Sequence, residues 1–563
     1  MSTAWTILVL VVALGISWRF LGSYMEAVYE RRVNWLGFIE RPIYRICGID
    51  DQLEQGWRRY ATSLVVFSGV AMGFTYLILR LQGHLGLNPL HQHGVTPALA
   101  FNTSVSFVTN TNWQNYSGET TMSFFSQMIA LASQMFISAS VGIAVAVGLV
   151  RGLKRQHSKT IGNFWVDLTR GILYILIPIA FVASIIFVAQ GAVDTLSGSV
   201  FIHNPLDGFK QLILLGPIAS MEAIKELGTN GGGFFNANGA HPFENPTGLT
   251  NILSIYLILL IPVGLTYTFG KMVGSIKQGL ALLAAMAIFF FSFMAIGLAA
   301  EQHTTAAVAK AGITHSASGN MVGKESRFGA SSSVLYNVTS TQTSTGSVNS
   351  SMDSYTPIGG LTAMGGMMLG EVTPGGVGSG LYTILLFAIV TVFVGGLMVG
   401  RTPEYLGKKI QAREVKLAAI GVLVMPITVL VATGIAVSIS QGRAGVLNPG
   451  PHGFSEILYA FTSQGNNNGS AFAGLSSNTA FYNVAGAIVM LIGRFGVILP
   501  ALALGGALAE KGVVAPSLGT FRTDSILFCG LLVGVILIIG GLTFFPALSL
   551  GPLAEQLSHG RLF

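Results

Sequence analysis

The chain has 563 residues, of which 51% are hydrophobic and only 9% are charged. Soluble globular proteins carry about 25% charged residues, so this composition excludes a large soluble domain and indicates a membrane protein with many spans. The net charge of +7 is compatible with nucleic-acid binding, but it can equally reflect basic loops of a membrane protein. The two cysteines, Cys47 and Cys529, lie far apart and predict neither a disulfide nor a metal centre.

Ten apolar runs are long enough to cross a bilayer, which takes about 20 residues of helix. They cover residues 3–21, 61–82, 124–150, 171–190, 251–270, 279–300, 380–400, 416–440, 481–507 and 525–548. The first run lacks the positive start and the small-residue cleavage site of a signal peptide, so we expect it to be retained as a helix. The sequence therefore predicts an all-α polytopic membrane protein.

The loops between these runs alternate in character. If the N-terminus lies outside, the inner loops hold 20 of the 30 lysine and arginine residues: Arg31, Arg32, Arg41, Arg45, Arg58, Arg59, Arg151, Lys154, Arg155, Lys159, Arg170, Lys271, Lys277, Arg401, Lys408, Lys409, Arg413, Lys416, Lys511 and Arg522. The positive-inside rule then predicts that both termini are extracytoplasmic. The basic charge is accounted for by topology, which argues against nucleic acid as a partner.

The motifs of soluble catalysis are missing from the sequence. It has no Walker A pattern, no Asp-Lys-Thr-Gly-Thr run, no Gly-x-Ser-x-Gly and no His-Glu-x-x-His. We therefore expect no nucleotide and no catalytic residue on this chain, and a membrane enzyme is the least favoured reading.

Three outer loops share one plan, in which a short, partly apolar helix precedes a polar run and then the next span. The first polar run is Thr109, Asn110, Thr111 and Asn112, after a helix over 101–108. The second is Thr229, Asn230, Gly231, Gly232 and Gly233, after a helix over 222–227. Another, near the C-terminus, is Asn466, Asn467, Asn468 and Gly469, after a helix over 454–461.

Spacing locates one more run between the second and the last. Thr111 and Gly231 are 120 residues apart, and Gly231 and Gly469 are 238 apart, so a third run belongs near residue 350. Ser344, Thr345, Gly346 and Ser347 lie there, after a helical stretch over 332–338. The more conspicuous glycine string over 375–380 is off this spacing, and we interpret it as a break at the start of the following helix.

Four such units can close around an axis in a pseudo-fourfold arrangement, and internal repeats are a feature of transport proteins. The predicted division is 1–60 for the first transmembrane helix with a basic cytoplasmic loop, 61–150, 171–270, 279–400 and 416–507 for the four repeats, and 525–548 for the last helix.

The four polar runs contain no Asp or Glu, whereas Ca²⁺ and Mg²⁺ sites use carboxylates. Backbone carbonyls with Thr, Ser and Asn oxygens can replace the hydration shell of K⁺, and glycine permits the backbone angles that turn carbonyls inward. For any single run an ordinary turn-rich loop is an equally good reading. Four runs at even spacing, each after a short helix, favour a binding site for a monovalent cation and no other metal.

Several side chains near the runs have two readings. Trp113 and Gln114 directly follow the first run, and we expect them to support it. The acidic residues Glu119, Glu222, Glu226, Glu244 and Glu456 can attract cations to an outer mouth, although for each alone a solvated charge is the favoured interpretation. Arg494 lies within an apolar run, where it is either a functional charge or close to the inner interface.

Long strings of this sequence resemble the KdpA family, the potassium-binding subunits of the bacterial Kdp potassium-transporting P-type ATPase. The resemblance covers about 60–553, and the strings that carry it are VSFVTNTNWQ (105–114), GTNGGGFFNAN (228–238), HPFENPT (241–247), GKESRFG (323–329), RTPEYLGKK (401–409), LNPGPHGFSE (447–456) and NNNGSAFAG (466–474).

This resemblance implies a fold related to potassium channels and to the Trk and Ktr transporters, with four fused units plus extra helices. It implies that K⁺ enters a four-sided filter from outside and passes toward a KdpB-type subunit that hydrolyses ATP, in a complex with KdpC-type and KdpF-type subunits in the bacterial inner membrane. In the family the third filter follows the GKESRFG string, in agreement with the spacing. The hydroxyl-rich run around Gly346 departs from the family pattern. A stand-alone channel or ion-coupled symporter of the Trk or Ktr kind is the alternative.

Overall fold

The computed structural model describes residues 3–203, 208–304, 306–310, 312, 318–398, 400–515 and 521–558. Within these residues, ten helices are long and apolar enough to cross a membrane. We name them spans 1 to 10 in chain order: Thr3–Tyr29, Trp57–His84, Ser126–Lys154, Phe164–Ala189, Gly248–Met272, Ile276–Ala300, Ser379–Met398, Ala412–Ser438, Ala480–Ala509 and Ile526–Leu550. The predicted number of spans and the predominantly helical membrane fold are confirmed.

Four further helices precede the polar runs and are named short helices 1 to 4: Pro97–Val108, Ile218–Leu227, Gly329–Thr341 and Gly450–Gly465. The remaining short helices are Gly37–Cys47, Gly118–Thr121, Ala306–Lys310, Pro357–Met368, Ser440–Arg443 and Pro552–Leu557, with single 3₁₀ turns at Asn238–Ala240 and Met352–Ser354. Two antiparallel hairpins pair Val200–His203 with Lys210–Ile213 and Glu404–Tyr405 with Lys408–Lys409.

Polar side chains at the starts of several spans satisfy backbone N–H groups that lack helical partners. Thr247 and Thr250 form a reciprocal capping box at span 5, and Thr479 accepts from the Tyr482 N–H at span 9. Ser525 does the same for Phe528 at span 10. These caps account for boundaries that hydropathy alone places a few residues away.

Span 1 was predicted to end at residue 21, but the helix continues to Tyr29. Its last turns carry polar residues, including Glu26, that a hydropathy window rejects. Glu26 Oε2 lies 3.2 Å from Lys271 Nζ at the end of span 5. Earlier in span 1 the Trp18 indole N–H donates to Thr266 Oγ1 of span 5 at 2.8 Å, so the two helices pack along one another. Gly22 lies against the Gly264 carbonyl, which lets the two backbones approach closely.

Span 3 forms the centre of the molecule. In its most apolar stretch 89% of the residues are buried, against 11% in span 1. Spans 5 and 7 are also mostly buried, whereas spans 1 and 10 lie at the periphery. Short helices 1 to 3 pack on span 3 or span 5, whereas short helix 4 packs on spans 8 and 9. The polar runs that follow them are enclosed by protein.

Helix Pro357–Met368 was missed by the sequence reading, because glycine at positions 359, 360, 365 and 366 opposes helix formation. Here the glycines serve packing: a β-carbon at Gly366 would press on the Gln342 side chain. The chain then leaves the helix and re-enters one at Ser379. Gly375 and Gly378, both with positive φ, lie in this interruption immediately before span 7.

Candidate ion-binding site

The four polar runs begin within three residues of the C-terminal ends of the four short helices. We name them segments 1 to 4: 109–112, 229–233, 344–347 and 466–469. Their residues are buried, apart from half-buried Gly469. The segments thus lie inside the protein, where backbone groups that face no hydrogen-bond partner are costly.

The segments share one backbone conformation. The first matched position has a left-handed φ of 47° to 66°, at Asn110, Thr229, Ser344 and Asn467. Two residues later φ is again positive, from 54° to 93°, at Asn112, Gly231, Gly346 and Gly469. Left-handed φ is uncommon for residues other than glycine, so its recurrence at five non-glycine positions indicates a conformation that the surroundings enforce.

Segments 1 and 2 are joined by side-chain amides. Asn110 donates from Nδ2 to the Thr229 carbonyl at 2.8 Å, and Asn230 donates from Nδ2 to Asn110 Oδ1 at 2.7 Å. Segment 4 reaches segment 1 in the same way, because Asn467 Nδ2 donates to Thr111 Oγ1 at 2.9 Å.

Glycines bring the other neighbours together. A β-carbon on Gly231 would overlap the Thr345 carbonyl, so segment 2 lies directly against segment 3. A β-carbon on Gly346 would overlap the Asn468 carbonyl, so segment 3 lies against segment 4. Contacts therefore run from 1 to 2, 2 to 3, 3 to 4 and 4 to 1. The four segments form a closed ring of uncharged, oxygen-bearing residues.

Trp113 and Gln114, which directly follow segment 1, connect it to its surroundings. Trp113 packs with Val105, Ala460 and Met490, and its carbonyl accepts from Ser106 Oγ at 2.9 Å. Gln114 donates from Nε2 to the Gly233 carbonyl at 3.1 Å, which ties segment 1 to segment 2. These contacts suit the support that we predict for both residues.

Arg494 is buried in span 9, 5% exposed, beside the ring. Its Nη2 donates to the Ser138 carbonyl at 3.1 Å, and Ser138 in turn contacts Asn110 in segment 1. Arg494, Glu371 and the first two residues of segment 4 line a cavity of about 30 Å³. Of the two interpretations offered for Arg494, this position favours the charge within the bundle and argues against the inner interface.

Four of the five acidic residues near the segments are buried, although we expected solvated charges. Glu222, Glu226, Glu244 and Glu456 are at most 1% exposed. The first three surround Lys225, which is fully buried and lies on short helix 2 together with Glu222 and Glu226. Only Glu119 is partly exposed, and it accepts from the Asn236 N–H at 3.0 Å. The spacing of Glu222 and Lys225 indicates that they pair on one helix, but it does not indicate that the pair is buried.

The glycine string before span 7 lies next to the ring without joining it. The Gly375 N–H donates to the Gln342 carbonyl at 2.8 Å, and the Val377 N–H donates to Thr229 Oγ1 at 2.9 Å. Gly378 contacts the Gly142 backbone in span 3. These contacts suit a packing role for the string.

One cluster beside short helix 4 was not anticipated. Asp353, His452 and Glu456 bring a ligand-type atom each to within 4.8 Å of one another. His452 already has a carboxylate on each side of its ring, with Nε2 2.8 Å from Asp353 Oδ1 and Nδ1 3.0 Å from Glu555 Oε1. The arrangement joins short helix 4 to Met352–Ser354 and to the C-terminal helix Pro552–Leu557.

The motif strings away from the segments also make specific contacts. Arg327 donates from its guanidinium to the carbonyls of Ala240 and Asn245, at 2.6 and 2.7 Å, and so joins GKESRFG to HPFENPT. Lys408, in the RTPEYLGKK string, donates from Nζ to the Leu508 carbonyl at 2.6 Å and to the Gly152 carbonyl at 3.1 Å. It thereby stabilises the C-terminal ends of two central spans.

Comparison with known proteins gives a consistent result. The family model described as "Potassium-transporting ATPase A subunit" matches residues 7–557. Proteins named "Potassium-transporting ATPase potassium-binding subunit" are 55% identical in Methylobacterium nodulans, over 96% of this chain and 94% of that protein, and 51% identical in Mesorhizobium japonicum, over 99% of both. The fold is similar to the crystal structure of the potassium transporter TrkH from Vibrio parahaemolyticus, with a TM-score of 0.53 and 12% identity over 86% of this chain and 96% of that one.

Proposed function

Because this chain belongs to the family of potassium-transporting ATPase A subunits, we propose that it binds extracytoplasmic K⁺ in the ring of four segments and passes it on within an ATP-driven uptake complex. The observation that carries the proposal is the closed ring itself, in which four uncharged segments with the same alternating backbone contact each other in cyclic order.

The chemistry of the ring suits a monovalent cation. Taking an ion out of water without replacing its hydration shell costs on the order of tens of kcal/mol, so a filter must surround the ion with oxygen atoms. Repeated left-handed positions let successive carbonyls turn to the same side of a segment, as rings of coordinating carbonyls require. Asn112 is buried with no hydrogen-bond partner for its side-chain amide among the described residues, and it adds one more free oxygen.

The short helices add an electrostatic contribution. Each ends within three residues of the start of its segment, at Val108, Leu227, Thr341 and Gly465. A helix C-terminus carries about half a negative charge. Four such ends around one ring stabilise a cation there without a carboxylate, which would hold a divalent ion more strongly.

The position of Arg494 bears on how the ion leaves. A buried guanidinium close to the ring repels a cation that moves straight along the axis. This disfavours a simple open pore and supports transfer of K⁺ toward a partner chain.

We assign ATP hydrolysis to a KdpB-type partner, with KdpC-type and KdpF-type subunits completing the complex, and no nucleotide to this chain. The protein then lies in the bacterial inner membrane with both termini outside. The four repeats are 61–150, 171–270, 279–400 and 416–507, and the filter consists of the four segments.

The second candidate is a stand-alone channel or ion-coupled symporter, favoured by the TrkH-like fold. Purification of this chain from its native membrane separates the two. Co-purification of a large ATPase subunit, and potassium-stimulated ATP hydrolysis that is lost when this chain is removed, support the uptake complex. Potassium flux through the chain alone in vesicles supports the alternative.

A further inference from the structure

A buried group of charges lies behind segment 2. We name it the Lys225 cluster: Glu222, Lys225, Glu226 and Glu244, with side chains at most 1% exposed. Lys225 Nζ contacts Glu222, lies 2.8 Å from Glu244 Oε2 and 3.4 Å from Glu226 Oε1. Three carboxylates thus share one ammonium group. Burial raises the pKa of Glu222, which favours its protonated form.

The cluster holds the backbone of segment 2 through Asn238. Lys225 donates to Asn238 Oδ1 at 2.9 Å, and this contact directs the Asn238 Nδ2 toward the Gly231 carbonyl, at 2.6 Å. Glu244 accepts from the Phe235 N–H at 2.7 Å. A β-carbon on Gly233 would lie only about 3 Å from both Glu244 oxygens, so the carboxylate also limits where segment 2 can run.

The same cluster reaches segment 3. Glu226 Oε1 accepts from the Tyr336 hydroxyl at 2.8 Å and from Ser347 Oγ at 2.7 Å. Ser347 Oγ also lies 3.0 Å from Asn238 Oδ1. One carboxylate therefore connects short helix 2 with short helix 3 and with the end of segment 3.

Segment 4 offers an internal comparison. The hydroxyl oxygens of Tyr459 and Ser470 lie 2.7 Å apart, and the two residues are 11 positions apart in sequence, as are Tyr336 and Ser347. The Tyr459 hydroxyl, however, donates to Met352 Sδ at 3.0 Å, and it has no carboxylate partner among the described residues. The carboxylate link at the boundary between segments 2 and 3 is thus not repeated at Tyr459.

We propose that Glu226 and Lys225 are positioning residues that set the spacing of segments 2 and 3, and through it the affinity of the ring for K⁺ and its discrimination against Na⁺. Neither side chain needs to touch the ion. Glu226 fixes the distance between the two segments, and Lys225 orients the Asn238 amide and balances the buried carboxylates. This inference rests on the proposed function of the ring.

The test uses the intact purified complex and its potassium-stimulated ATP hydrolysis, measured against K⁺ and Na⁺ concentration. Glu226→Gln keeps the shape but loses the charge that accepts two hydroxyl hydrogen bonds. We expect the apparent KM for K⁺ to rise about tenfold with kcat changed less than about twofold, and stimulation by Na⁺ to increase, since hydrogen bonds to charged groups are the strong ones.

Two variants control this experiment. Glu456→Gln makes the same change on short helix 4, where the carboxylate accepts from the Leu447 N–H and from Asn448 Nδ2, and no hydrogen bond joins it to a segment within the described part of the chain. We expect its KM for K⁺ to match the wild type. Tyr336→Phe removes one donor to Glu226 and should raise KM about threefold, more than Tyr459→Phe does. If the Glu226→Gln complex does not assemble, the KM of Tyr336→Phe relative to Tyr459→Phe tests the proposal.

The outcomes distinguish a failure of the proposed function from a failure of the positioning role alone. A wild-type complex that K⁺ does not stimulate overturns the proposed function and this inference with it. A stimulated wild type whose Glu226→Gln and Tyr336→Phe variants keep the wild-type KM and ion preference overturns the inference alone. So does an equal rise of KM in Glu456→Gln.

Discussion

Gly231 in segment 2 lies against the carbonyl oxygen of Thr345 in segment 3 so closely that a β-carbon would overlap it. Its φ of 82° is also one that L-residues avoid, at a cost of about 1–2 kcal/mol. Both effects act on the boundary between segments 2 and 3, so a side chain at this position would force the two segments apart.

We therefore expect Gly231→Ala to raise the KM for K⁺ by about tenfold or more, since each 1.4 kcal/mol of lost binding is a factor of about ten. Gly231→Asp should be worse, because it adds a charge as well as bulk. Potassium-stimulated ATP hydrolysis by the purified complex measures the change. Gly434→Ala, in span 8 with open space around it, is the control. Wild-type affinity in both Gly231 variants would remove this glycine from the ion path.

The third segment can be tested by a pair of glycines. Gly346 has a φ of 81° and lies against segment 4, whereas Gly376 packs on Ser344 and Ser379 from outside the ring. We expect Gly346→Ala to change ion preference, and Gly376→Ala to lower the thermal stability of the complex while K⁺ remains the preferred ion. Rates of ATP hydrolysis with K⁺, Rb⁺ and Na⁺, together with thermal unfolding, check both. A change of ion preference in Gly376→Ala, with none in Gly346→Ala, would show that 344–347 is not the third segment of the ring.

The fold was predictable because each span is a continuous apolar run, and hydropathy needs no knowledge of tertiary contacts. The matched conformations of Ser344 and Gly346 agree with the spacing that selected segment 3, although glycine content pointed to 375–380. Ion binding by the segments stays a prediction.

The environment of the ring was far less accessible. Glu244 follows Lys225 by 19 residues, and no periodicity relates them, so their contact arises only from the folded chain. The same holds for Tyr336, which reaches Glu226 across 110 residues. Acidic residues are usually solvated, but this expectation was wrong for Glu222, Glu226, Glu244 and Glu456, which are buried. Neighbouring hydrogen-bond donors allow such carboxylates to be buried.

His452 should make stability depend on pH. Burial alone would lower the pKa of His452, but hydrogen bonds to Asp353 and Glu555 raise it to about 10. A folded-state pKa above the unfolded value of about 6.5 gives stability that is complete below about pH 6.5 and is lost as pH rises through 10. We expect His452→Gln to lower the Tm of the complex most at pH 6, with a difference that shrinks toward pH 10. Exposed His84→Gln is the control, and a difference independent of pH would contradict the account.

Arg151 provides a test of the buried charges at the opposite end of span 3. Its guanidinium meets the Asp167 carboxylate in two contacts of 2.6 and 2.9 Å, with both side chains at most 10% exposed. Removing one partner of such a pair costs about 3–5 kcal/mol, because the other charge stays buried and uncompensated. We expect Arg151→Gln to lower the Tm of the purified complex by several degrees, measured by tryptophan fluorescence.

The control for Arg151 lies one turn further along the same helix. Lys154 pairs with Glu30 at 2.9 Å, but its side chain is 42% exposed, and exposed pairs contribute about 0–1 kcal/mol. Lys154→Gln should therefore change the Tm little. In the double variant Arg151→Gln, Asp167→Asn neither charge is left alone, so part of the lost Tm should return. Equal losses from Arg151→Gln and Lys154→Gln, or no recovery in the double variant, would show that the buried pair does not act as one unit.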